Sequence, residues 1–411
     1  MAEALKNIRI CDFTGQLAGA GATKWLAAMG AEVIRIEDPV RNGLWDVLRA
    51  TPPFVDERRG FNLGGGFNNH NTEKLGITLN LRTDRGKEIL AEIVQRSDVV
   101  SENFAAGVLD SWGFGYEQLK ALKSDIIYVS NCGFGHTGPY KEFKTWGPIV
   151  QAISGLTFTS GLAGEEPAGW GYSYMDHTGG YYMAIAILLA LIHRNRTGEG
   201  QWVDMACTEA GATLNGPAQL DYAVNGRSLR RPESPHSNRN EWPAMAPHGI
   251  YPSRGEDEWI AISVRDDEDW RRLGDVVREE WSSSERYTDR SARLAAQDEL
   301  DEHLASWTAG QDKFALAKTL QAAGVPAAPV QRPEERIEHD PETERVGLWP
   351  RVQHDEIGEV RVDGLPVTFS KTPWKIEAGG PCLSQHTDSV LGRLLGYSQG
   401  ELDALREEGV I

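Results

Sequence analysis

Short apolar strands alternate with helices along the first third of the chain, and this alternation constrains the fold more than any other feature. The predicted strands are residues 8–13, 32–37, 98–100 and 126–130. Helices are predicted at 18–29 and at 84–96, and Thr83 is a candidate N-cap for the second. Parallel strands need a crossover between them, and that crossover is usually a helix. The sequence therefore predicts a parallel sheet wrapped by helices.

The pattern changes in the second half of the chain. A helix at 176–194 and a strand at 201–206 extend the first pattern, whereas 225–243 is rich in arginine and proline and is predicted to be a crossing segment. The later predicted elements are a strand at 259–264, two helical stretches around 270–279 and 291–320, an edge strand at 324–330 and a helical end at 388–408. A chain of 411 residues is long enough for two or more domains with buried cores.

The charge balance argues against some classes of partner. The chain has 42 basic and 60 acidic residues, a net charge of −18, which disfavours binding to nucleic acids or anionic membranes. Its four cysteines form no CxxC pair, which favours a reducing cytoplasm over a disulfide framework. The N-terminus has no apolar signal segment, and the longest apolar run, 181–192, is too short to span a bilayer. We therefore expect a cytoplasmic protein in which 181–192 is a buried helix.

One carboxylate, Asp176, lies between an aromatic run and a Gly-Gly step that leads into a long apolar helix. Such a position can keep a carboxylate partly dry and yet open to substrate, as a carboxylate nucleophile requires. The alternative is a helix N-cap, and the local sequence alone favours it. In an extended segment Trp170, Tyr172 and Tyr174 would share a face with Asp176 and desolvate it. An aromatic core face explains the same spacing equally well.

The glycine-rich stretch 15–21 is similar to a dinucleotide-binding fingerprint, because it lies between a strand and a helix and Glu37 ends the next strand. The match is incomplete, since Lys24 occupies the third glycine position. The glycines therefore favour close packing in a Rossmann-like sheet over NAD binding. The sequence has no G-x-S-x-G elbow, HExxH motif, EF-hand loop or Walker sequence, and no metal site is predicted.

Four basic side chains stand close to predicted loops in spite of the acidic background. They are Lys74, Arg82, Lys141 and Lys144. Taken singly, each is an ordinary solvated charge, whereas together they are candidates for a phosphate-binding site.

A series of ordered motifs carries a resemblance to a known family. The motifs are 12–14 with 30–39, the runs 97–104, 113–117 and 133–140, Asp176 with 197–201, and 324–330 with 386–388. With them the chain resembles the family III CoA-transferases nearly from end to end. The resemblance implies that Asp176 is the catalytic nucleophile. It also implies that CoA contacts Gln16, Leu79, Arg82, Asn103, Phe104 and Lys144. The chain departs from the family at Ser111, where an arginine that helps to hold CoA is replaced.

The same resemblance implies an α/β fold with a large Rossmann-like domain, built around a parallel sheet from both chain ends, and a smaller α+β domain. The implied parts are large-domain residues 1–202, a linker at 203–230, the small domain at 231–335, a second linker at 336–370 and a returning segment at 371–411. The family also implies a homodimer, or a heterodimer with a related subunit, whose chains are threaded through each other like linked rings. The two linkers are long enough for such threading.

The implied activity is transfer of CoA from an acyl-CoA donor to a carboxylic acid, through a mixed anhydride and an aspartyl-CoA thioester. CoA and acyl-CoA are then substrates, and no tightly bound cofactor is expected. The tracts 145–148 and 169–180 are similar to succinyl-CoA-dependent transferases of aromatic acids such as benzylsuccinate. Gly179, Gly180 and the turn near Gln16 are candidate donors to the tetrahedral oxyanions.

Two other functions stay open at this point. A 2-methylacyl-CoA racemase shares the family's fold, but it needs a histidine in a stretch that corresponds to 144–149, where this chain has none. A CoA-binding subunit of a hetero-oligomeric transferase is the other possibility, and the presence of Asp176 counts against it.

Overall fold

The computed structural model describes residues 3–161, 165–231 and 238–411. The chain divides into two compact units. The first contains Met1–Thr157, Gly169–Gly216 and Pro341–Ile411, and the second contains Phe158–Ala168 and Pro217–Asp340. The first unit is thus built from both ends of the chain.

A six-stranded parallel sheet forms the centre of the first unit. Its strands are β1 (Arg9–Asp12), β2 (Glu32–Glu37), β3 (Leu75–Thr78), β4 (Val99–Glu102), β5 (Ile127–Cys132) and β6 (Trp202–Ala206). They pair in the order β3-β2-β1-β4-β5-β6, so that Ile10 lies opposite both Val33 and Val99. The strand order therefore reverses between β1 and β4. Such a reversal opens a crevice at the carboxyl ends of the two strands, which is where open α/β sheets bind ligands.

The remaining elements are mostly helical. The helices are α1 (Ala18–Ala28), α2 (Gly65–His70), α3 (Asp84–Gln95), α4 (Val108–Ser111), α5 (Tyr116–Leu122), α6 (Gly147–Ile153), α7 (Tyr174–Thr197), α8 (Cys207–Leu214), α9 (Gly216–Asn225), α10 (Asp267–Val277), α11 (Arg290–Ala295), α12 (Gln297–Thr308), α13 (Lys313–Ala322), α14 (Pro333–Glu338), α15 (Pro341–Arg345), α16 (Thr387–Leu395) and α17 (Gln399–Glu407). The other strands are β7 (His248–Pro252), β8 (Trp259–Ser263), β9 (Ala327–Val330), β10 (Arg351–His354) and β11 (Gly358–Arg361).

Apolar side chains cover both faces of the parallel sheet, as buried parallel strands require. On one face, Val33 of β2 belongs to a core with Leu26 of α1 and Ile187 of α7. On the other face, Ile36 of β2 belongs to a core with Ile93 of α3. The predicted α/β fold with a helix-covered parallel sheet is therefore confirmed.

The second unit has a different organisation. Strands β7, β8 and β9 form an antiparallel sheet in that order, so β9 is an edge strand, as predicted. Its core joins Ile260 and Ile262 of β8 to Leu273 of α10 and Leu300 of α12. The antiparallel sheet and its helices form an α+β arrangement.

Some predicted elements are confirmed and others are not. Strand β2 begins and ends as predicted, and the Thr83 hydroxyl caps α3 by accepting the Gly86 N–H at 3.0 Å. The helical stretch predicted around 291–320 is confirmed as mostly helical and consists of three helices, α11 to α13. The predicted linker 203–230 carries most of β6 and the helices α8 and α9. The domain bounds predicted from the sequence stay a prediction.

Helix α7 is buried on one face only. Met183 and Ile187 are buried, whereas Tyr181, Ile185 and Leu189 are 46%, 54% and 61% exposed. Within this chain, the predicted burial of 181–192 is therefore confirmed for one face of the helix only. Among the described residues, α7 is also the one helix long and apolar enough to cross a membrane by length and composition. Core helices of globular proteins meet the same criterion, so this finding is weak evidence for a membrane span.

Candidate active site

The loop between β1 and α1 meets the end of β4 where the strand order reverses. The Asn103 side chain accepts the Gly15 N–H at 2.7 Å, and its amide donates to the Gly15 carbonyl at 3.0 Å. The next residue, Gln16, has a positive φ of 54°, which is uncommon for a residue other than glycine. A Cβ at Gly19 would lie 2.6 Å from the Thr14 Cβ, so only glycine permits this approach of α1. The glycine-rich stretch therefore serves close packing, as predicted.

Asp176 lies in the first turn of α7, which begins at Tyr174 behind Ser173. Its N–H donates to the Ser173 carbonyl at 3.0 Å, and its carboxylate forms a hydrogen bond with the Ser173 side chain. The N-cap interpretation is wrong, because Asp176 is inside the helix. A Cβ at Gly147 would lie 2.7 Å from the Oδ2 atom of Asp176, so glycine at this position leaves the carboxylate room.

A cavity of about 320 Å³ opens at this carboxylate. Among its lining residues are Gln16, Asn103, Phe104, Lys144 and Asp176. The structure thus brings together five predicted site residues from four separate places in the sequence. They come from the crevice at the strand reversal, the loop before α6 and the first turn of α7.

Apolar side chains form much of the remaining wall of this cavity. They include Phe143, Trp146, Val150 and Cys207. The three rings that were predicted to desolvate Asp176 are not among the lining residues. Those rings, Trp170, Tyr172 and Tyr174, are 43%, 62% and 41% exposed. The predicted shared face is wrong, because the extended geometry that it requires ends where α7 begins.

The charge environment of Asp176 differs from that of the nearby buried carboxylate Asp12. Burial raises the pKa of Asp176 above its ordinary value, and the hydrogen bond with Ser173 offsets part of this effect. Burial also raises the pKa of Asp12, but the charges of Lys74 and Arg35 outweigh it and hold that pKa below its usual range. Asp176 thus carries a partly desolvated carboxylate with no cationic partner among the described residues.

A larger cavity, of about 560 Å³, contains the other two predicted CoA contacts, Leu79 and Arg82. Phe104 lines this cavity as well as the one at Asp176. Arg41 and Lys87 add two further cations to the wall of the larger cavity, whereas Asp38 lies 3.4 Å from Arg82. Its floor contains stacked rings, since Trp45 and Trp112 have centroids 5.9 Å apart at an interplanar angle of 14°.

The four basic residues proposed for phosphate binding do not act together. Lys74 is buried, and its Nζ donates to Asp12 at 3.2 Å and to the Ala20 carbonyl at 3.0 Å. It is therefore a structural ion-pair partner and is not available to a phosphate. Arg82 and Lys144 line separate cavities, and Lys141 lines neither.

The predicted oxyanion donors are only partly supported. Gly179 and Gly180 lie beyond the first turn of α7, where the helix itself uses the backbone N–H groups. Both glycines serve packing, since a Cβ would lie 2.6 Å from Cys207 Sγ or 2.7 Å from the Ala18 carbonyl. The prediction that Gly179 and Gly180 donate to the oxyanion is therefore wrong. The turn near Gln16 is different, because Gln16 and Ala18 line the Asp176 cavity at the N-terminal end of α1.

A buried acid next to the site was not predicted from the sequence. Glu102, the last residue of β4, is fully buried, and its carboxylate accepts the Phe104 N–H at 2.7 Å and the Tyr128 hydroxyl at 3.0 Å. The Nε2 atom of His136 lies 3.2 Å from the same carboxylate. Burial raises the pKa of Glu102 to about 8. The available signal was an acidic residue at the end of an apolar strand, directly before Asn103 and Phe104.

In the described ranges, no group of three or more histidine, cysteine or acidic side chains is arranged to hold a metal ion. The four cysteines are free thiols. The absence of a tightly bound cofactor and the cytoplasmic location stay predictions.

Comparison with known proteins connects this geometry to a family. Residues 5–387 match the sequence profile of CoA-transferase family III. The succinate–glutarate CoA-transferase of Agrobacterium fabrum is 32% identical over 95% of each chain. The succinyl-CoA–D-citramalate CoA-transferase of Chloroflexus aurantiacus is 30% identical over 99% of this chain and 98% of that protein. A solved CAIB/BAIF family protein from Brucella suis is 30% identical, with a TM-score of 0.85 over 96% of this chain and all of that one. The resemblance found in the motifs is therefore confirmed, and the chain belongs to CoA-transferase family III.

Proposed function

We propose that this CoA-transferase moves CoA from succinyl-CoA to a free carboxylic acid, and that Asp176 is its nucleophile. The observation that carries the proposal is the cavity in which Asp176 stands with Gln16, Asn103, Phe104 and Lys144. The donor is supported by the name of the Chloroflexus aurantiacus relative, which contains succinyl-CoA, and by that of the Agrobacterium fabrum relative, which contains succinate.

The proposed reaction passes an activated acyl group through Asp176. The carboxylate attacks the succinyl-CoA carbonyl, the C–S bond breaks, and a succinyl-aspartyl anhydride and CoA thiolate are formed. The thiolate attacks the aspartyl carbonyl, which releases succinate and leaves an aspartyl-CoA thioester. The acceptor carboxylate then attacks this thioester, and a new anhydride forms as the thiolate leaves. Attack of the thiolate on the acceptor's acyl carbon gives the new acyl-CoA and restores the carboxylate.

The environment of Asp176 suits this role. Partial burial raises its pKa and so makes the ionised carboxylate more basic, whereas an ion pair would reduce its reactivity. Phe104 and Val150 line the cavity and limit the access of water, which would otherwise hydrolyse the anhydride. The glycine at position 147 lets the carboxylate pack closely against the backbone, because a Cβ there would lie 2.7 Å from Oδ2.

The two cavities give the CoA molecule a path. We place its phosphates in the larger cavity, near Arg41, Arg82 and Lys87, because cations bind phosphate oxygens strongly. The pantetheine chain would then pass Phe104, which lines both cavities, and bring the sulfur to Asp176. Lys144 lines the Asp176 cavity and is available to a carboxylate of the acid.

The backbone at the start of α1 is the proposed oxyanion site. The first N–H groups of a helix have no intrahelical partner, and they carry a partial positive charge. Gln16 and Ala18 lie at this end of α1 and line the cavity with Asp176. Backbone donors placed in this way stabilise the charge that develops on a tetrahedral oxygen.

The acceptor is proposed to be an aromatic acid of the benzylsuccinate type. Three rings of the Asp176 cavity, Phe104, Phe143 and Trp146, support this proposal, because aromatic rings attract one another in stacked or edge-on contacts. The proposal is tested by comparing kcat/KM for benzylsuccinate with those for glutarate and malate. Higher values for the aliphatic acids would contradict it.

The nucleophile is tested by trapping the covalent intermediate. Mass spectrometry of enzyme quenched during turnover should show a CoA adduct on the peptide that contains Asp176. With an 18O-labelled acceptor acid, label should reach the same side chain. Asp176→Ala should abolish transfer and leave CoA binding intact. Asp56→Asn is a suitable control, because Asp56 is exposed and asparagine tolerates its positive φ of 53°. Full turnover by Asp176→Ala would refute the assignment.

We also propose that the protein forms the interlocked dimer of its family, with the predicted linkers 203–230 and 336–370 as crossing segments. The exposed apolar face of α7 supports this proposal, because a large contiguous apolar patch on a protein surface usually marks an interaction site. This face consists of Tyr181, Tyr182, Ile185, Leu188, Leu189 and Ile192. In α9, Leu220, Tyr222 and Val224 are also 65% or more exposed.

Subunit exchange tests the interlocking. Threaded chains cannot separate while folded, so tagged and untagged dimers that are mixed should not form hybrids until they are unfolded and refolded. Leu189→Glu should weaken assembly. Leu44→Glu is the control, because it changes a leucine that is 37% exposed and is not part of α7. A monomer at micromolar concentration, or rapid exchange, would contradict the proposal.

A further inference from the structure

Asn103 holds the backbone of the β1–α1 loop from both sides of one residue. Its Oδ1 accepts the Gly15 N–H at 2.7 Å, and its Nδ2 donates to the Gly15 carbonyl at 3.0 Å. Such a reciprocal pair of bonds fixes the peptide groups on either side of Gly15. The backbone of the next residue, Gln16, is therefore held in a defined orientation.

The following residue, Gln16, has the least favourable backbone in this loop. Its φ of 54° lies in the left-handed region, which L-residues avoid because the Cβ approaches the neighbouring carbonyl oxygen. Such a conformation persists only where the surroundings determine it, and it is common at functional sites. The side chain of Gln16 is half-buried and makes no hydrogen bond to any other described residue. Gln16 instead lines the cavity that contains Asp176.

The rest of the loop is fixed by buried polar contacts. The Thr14 N–H and hydroxyl both donate to the Asp12 carboxylate, at 3.2 Å and 2.7 Å. The Arg35 guanidinium donates to the Thr14 carbonyl and pairs with Asp46 at 2.9 Å. The Asn103 amide also packs against α1, because a Cβ at Gly19 would lie 2.7 Å from the Asn103 Cγ. This amide is therefore enclosed between the loop and α1.

We infer that Asn103 is a positioning residue, which acts on the reaction by holding Gln16 in its left-handed conformation beside Asp176. This inference rests on the proposed function, because it takes the Asp176 cavity as the reaction site. It differs from the role implied by the family resemblance, in which Asn103 contacts CoA. The two roles make different predictions, since a contact residue changes CoA binding and a positioning residue changes the rate after binding.

The first experiment separates these roles with Asn103→Ala. We expect kcat to fall about 10- to 100-fold, because small displacements of reacting groups have effects of this size. The dissociation constant of CoA should change by less than about threefold, which is under 1 kcal/mol. Asn62→Ala is the matched control. The Asn62 side chain also joins separate segments, through the Leu383 N–H at 2.8 Å and Arg49 at 3.1 Å, but lines neither cavity. An unchanged kcat, with or without weakened CoA binding, would overturn the inference.

The second experiment is a double-mutant cycle between positions 103 and 16. Glycine adopts positive φ without strain, so Gln16→Gly removes the backbone strain that Asn103 is inferred to offset. If Asn103 acts through Gln16, the double variant should turn over within about threefold of Gln16→Gly alone. Independent roles would instead multiply the two losses, and this result would overturn the inference. If Asn103→Ala does not fold, as judged by its melting temperature, Asn103→Ser enters the same cycle.

The outcome can be separated from that of the proposed function. The adduct on Asp176 is measured in the unmodified enzyme and tests the nucleophile. The cycle compares rates of CoA transfer among four forms of the protein. A multiplicative cycle in an enzyme that forms the adduct refutes only the role of Asn103, whereas an absent adduct refutes the nucleophile.

Discussion

Gly147 lies directly against the Asp176 carboxylate, so that a Cβ at position 147 would be 2.7 Å from Oδ2 and 3.0 Å from Cγ. These atoms cannot coexist with a methyl group, and the carboxylate would have to move. We expect Gly147→Ala to lower kcat about 10- to 100-fold, with a smaller change in KM for the acyl-CoA.

Gly310→Ala is the control for this substitution, because no atom lies within 4 Å of the added Cβ there. Steady-state kinetics of both variants, with melting temperatures to confirm folding, checks the prediction. An unimpaired Gly147→Ala enzyme would show that the reactive geometry does not depend on this contact.

Arg82 is predicted to bind a phosphate of CoA. Its side chain is 57% exposed, and it lines the larger cavity with Arg41 and Lys87. Removal of one exposed charge-assisted contact should raise KM for succinyl-CoA about three- to tenfold with little effect on kcat. The effect of Arg82→Ala should vanish with succinyl-pantetheine, which lacks the nucleotide phosphates.

Arg85→Ala provides the comparison, because Arg85 is 43% exposed and pairs with Glu88 outside the cavity. Its KM should equal that of the unmodified enzyme. If Arg82→Ala raised the KM for succinyl-pantetheine equally, Arg82 would not act through a phosphate of CoA.

The sheet could be predicted because its strands have local signals. The run 32–37 is apolar and alternating, and it forms β2 with the predicted bounds. Strand β3 was missed, since Leu75–Thr78 has four residues, one of them a glycine, and owes its place to pairing with β2. Local patterns thus identify strands that carry their own signal and fail for those that tertiary pairing creates.

The start of α7 shows why the site itself was harder to predict. The sequence predicts a helix that begins at Asp176, whereas α7 begins at Tyr174, so Asp176 lies inside the helix. Gly179 and Gly180 also lie inside it, although adjacent glycines disfavour a helix. They are required by close contacts with Cys207 and Ala18, which are distant in the sequence. Lys74 was misassigned for the same reason, because its partner Asp12 is 62 residues away. The cavity residues were found through family motifs, and propensity could not have placed them together.

The pH dependence of catalysis should report the Asp176 carboxyl. Burial raises its pKa, and in the proposed mechanism only the ionised form attacks the thioester, so kcat/KM should rise with pH through a value above the ordinary 3.8 of aspartic acid. The hydrogen bond with Ser173 stabilises the carboxylate, so Ser173→Ala should move this limb to higher pH.

Thr178→Ala is the matched control for Ser173→Ala. It removes a hydroxyl from the adjoining turn of α7, where that hydroxyl donates to the Tyr174 carbonyl at 3.0 Å. Its pH profile should coincide with that of the unmodified enzyme. An acid limb that stays in place in Ser173→Ala would contradict the assignment of this limb to Asp176.

The stability of the protein should fall as pH rises through the titration of Glu102. Its pKa is raised from 4.5 to about 8 by burial, so the folded state holds a proton that the unfolded chain releases above pH 4.5. The stabilisation is fully present below pH 4.5 and is lost up to about pH 8, by at most ~1.4 kcal/mol for each pH unit.

Glu102→Gln cannot titrate, and its amide oxygen can still accept the Phe104 N–H. The free energy of unfolding is measured in urea at several pH values between about pH 5.5 and pH 8, which lie within this titration window. It should depend less steeply on pH in the variant than in the unmodified protein. Titrating groups that do not contact Glu102 are the same in both proteins, so their contributions cancel in the difference. His136, whose Nε2 atom lies 3.2 Å from the Glu102 carboxylate, is coupled to it, so the difference reports the titration of this pair. Parallel slopes would mean that Glu102 is already ionised in the folded state, and that the bond to Phe104 is held by a carboxylate throughout this range.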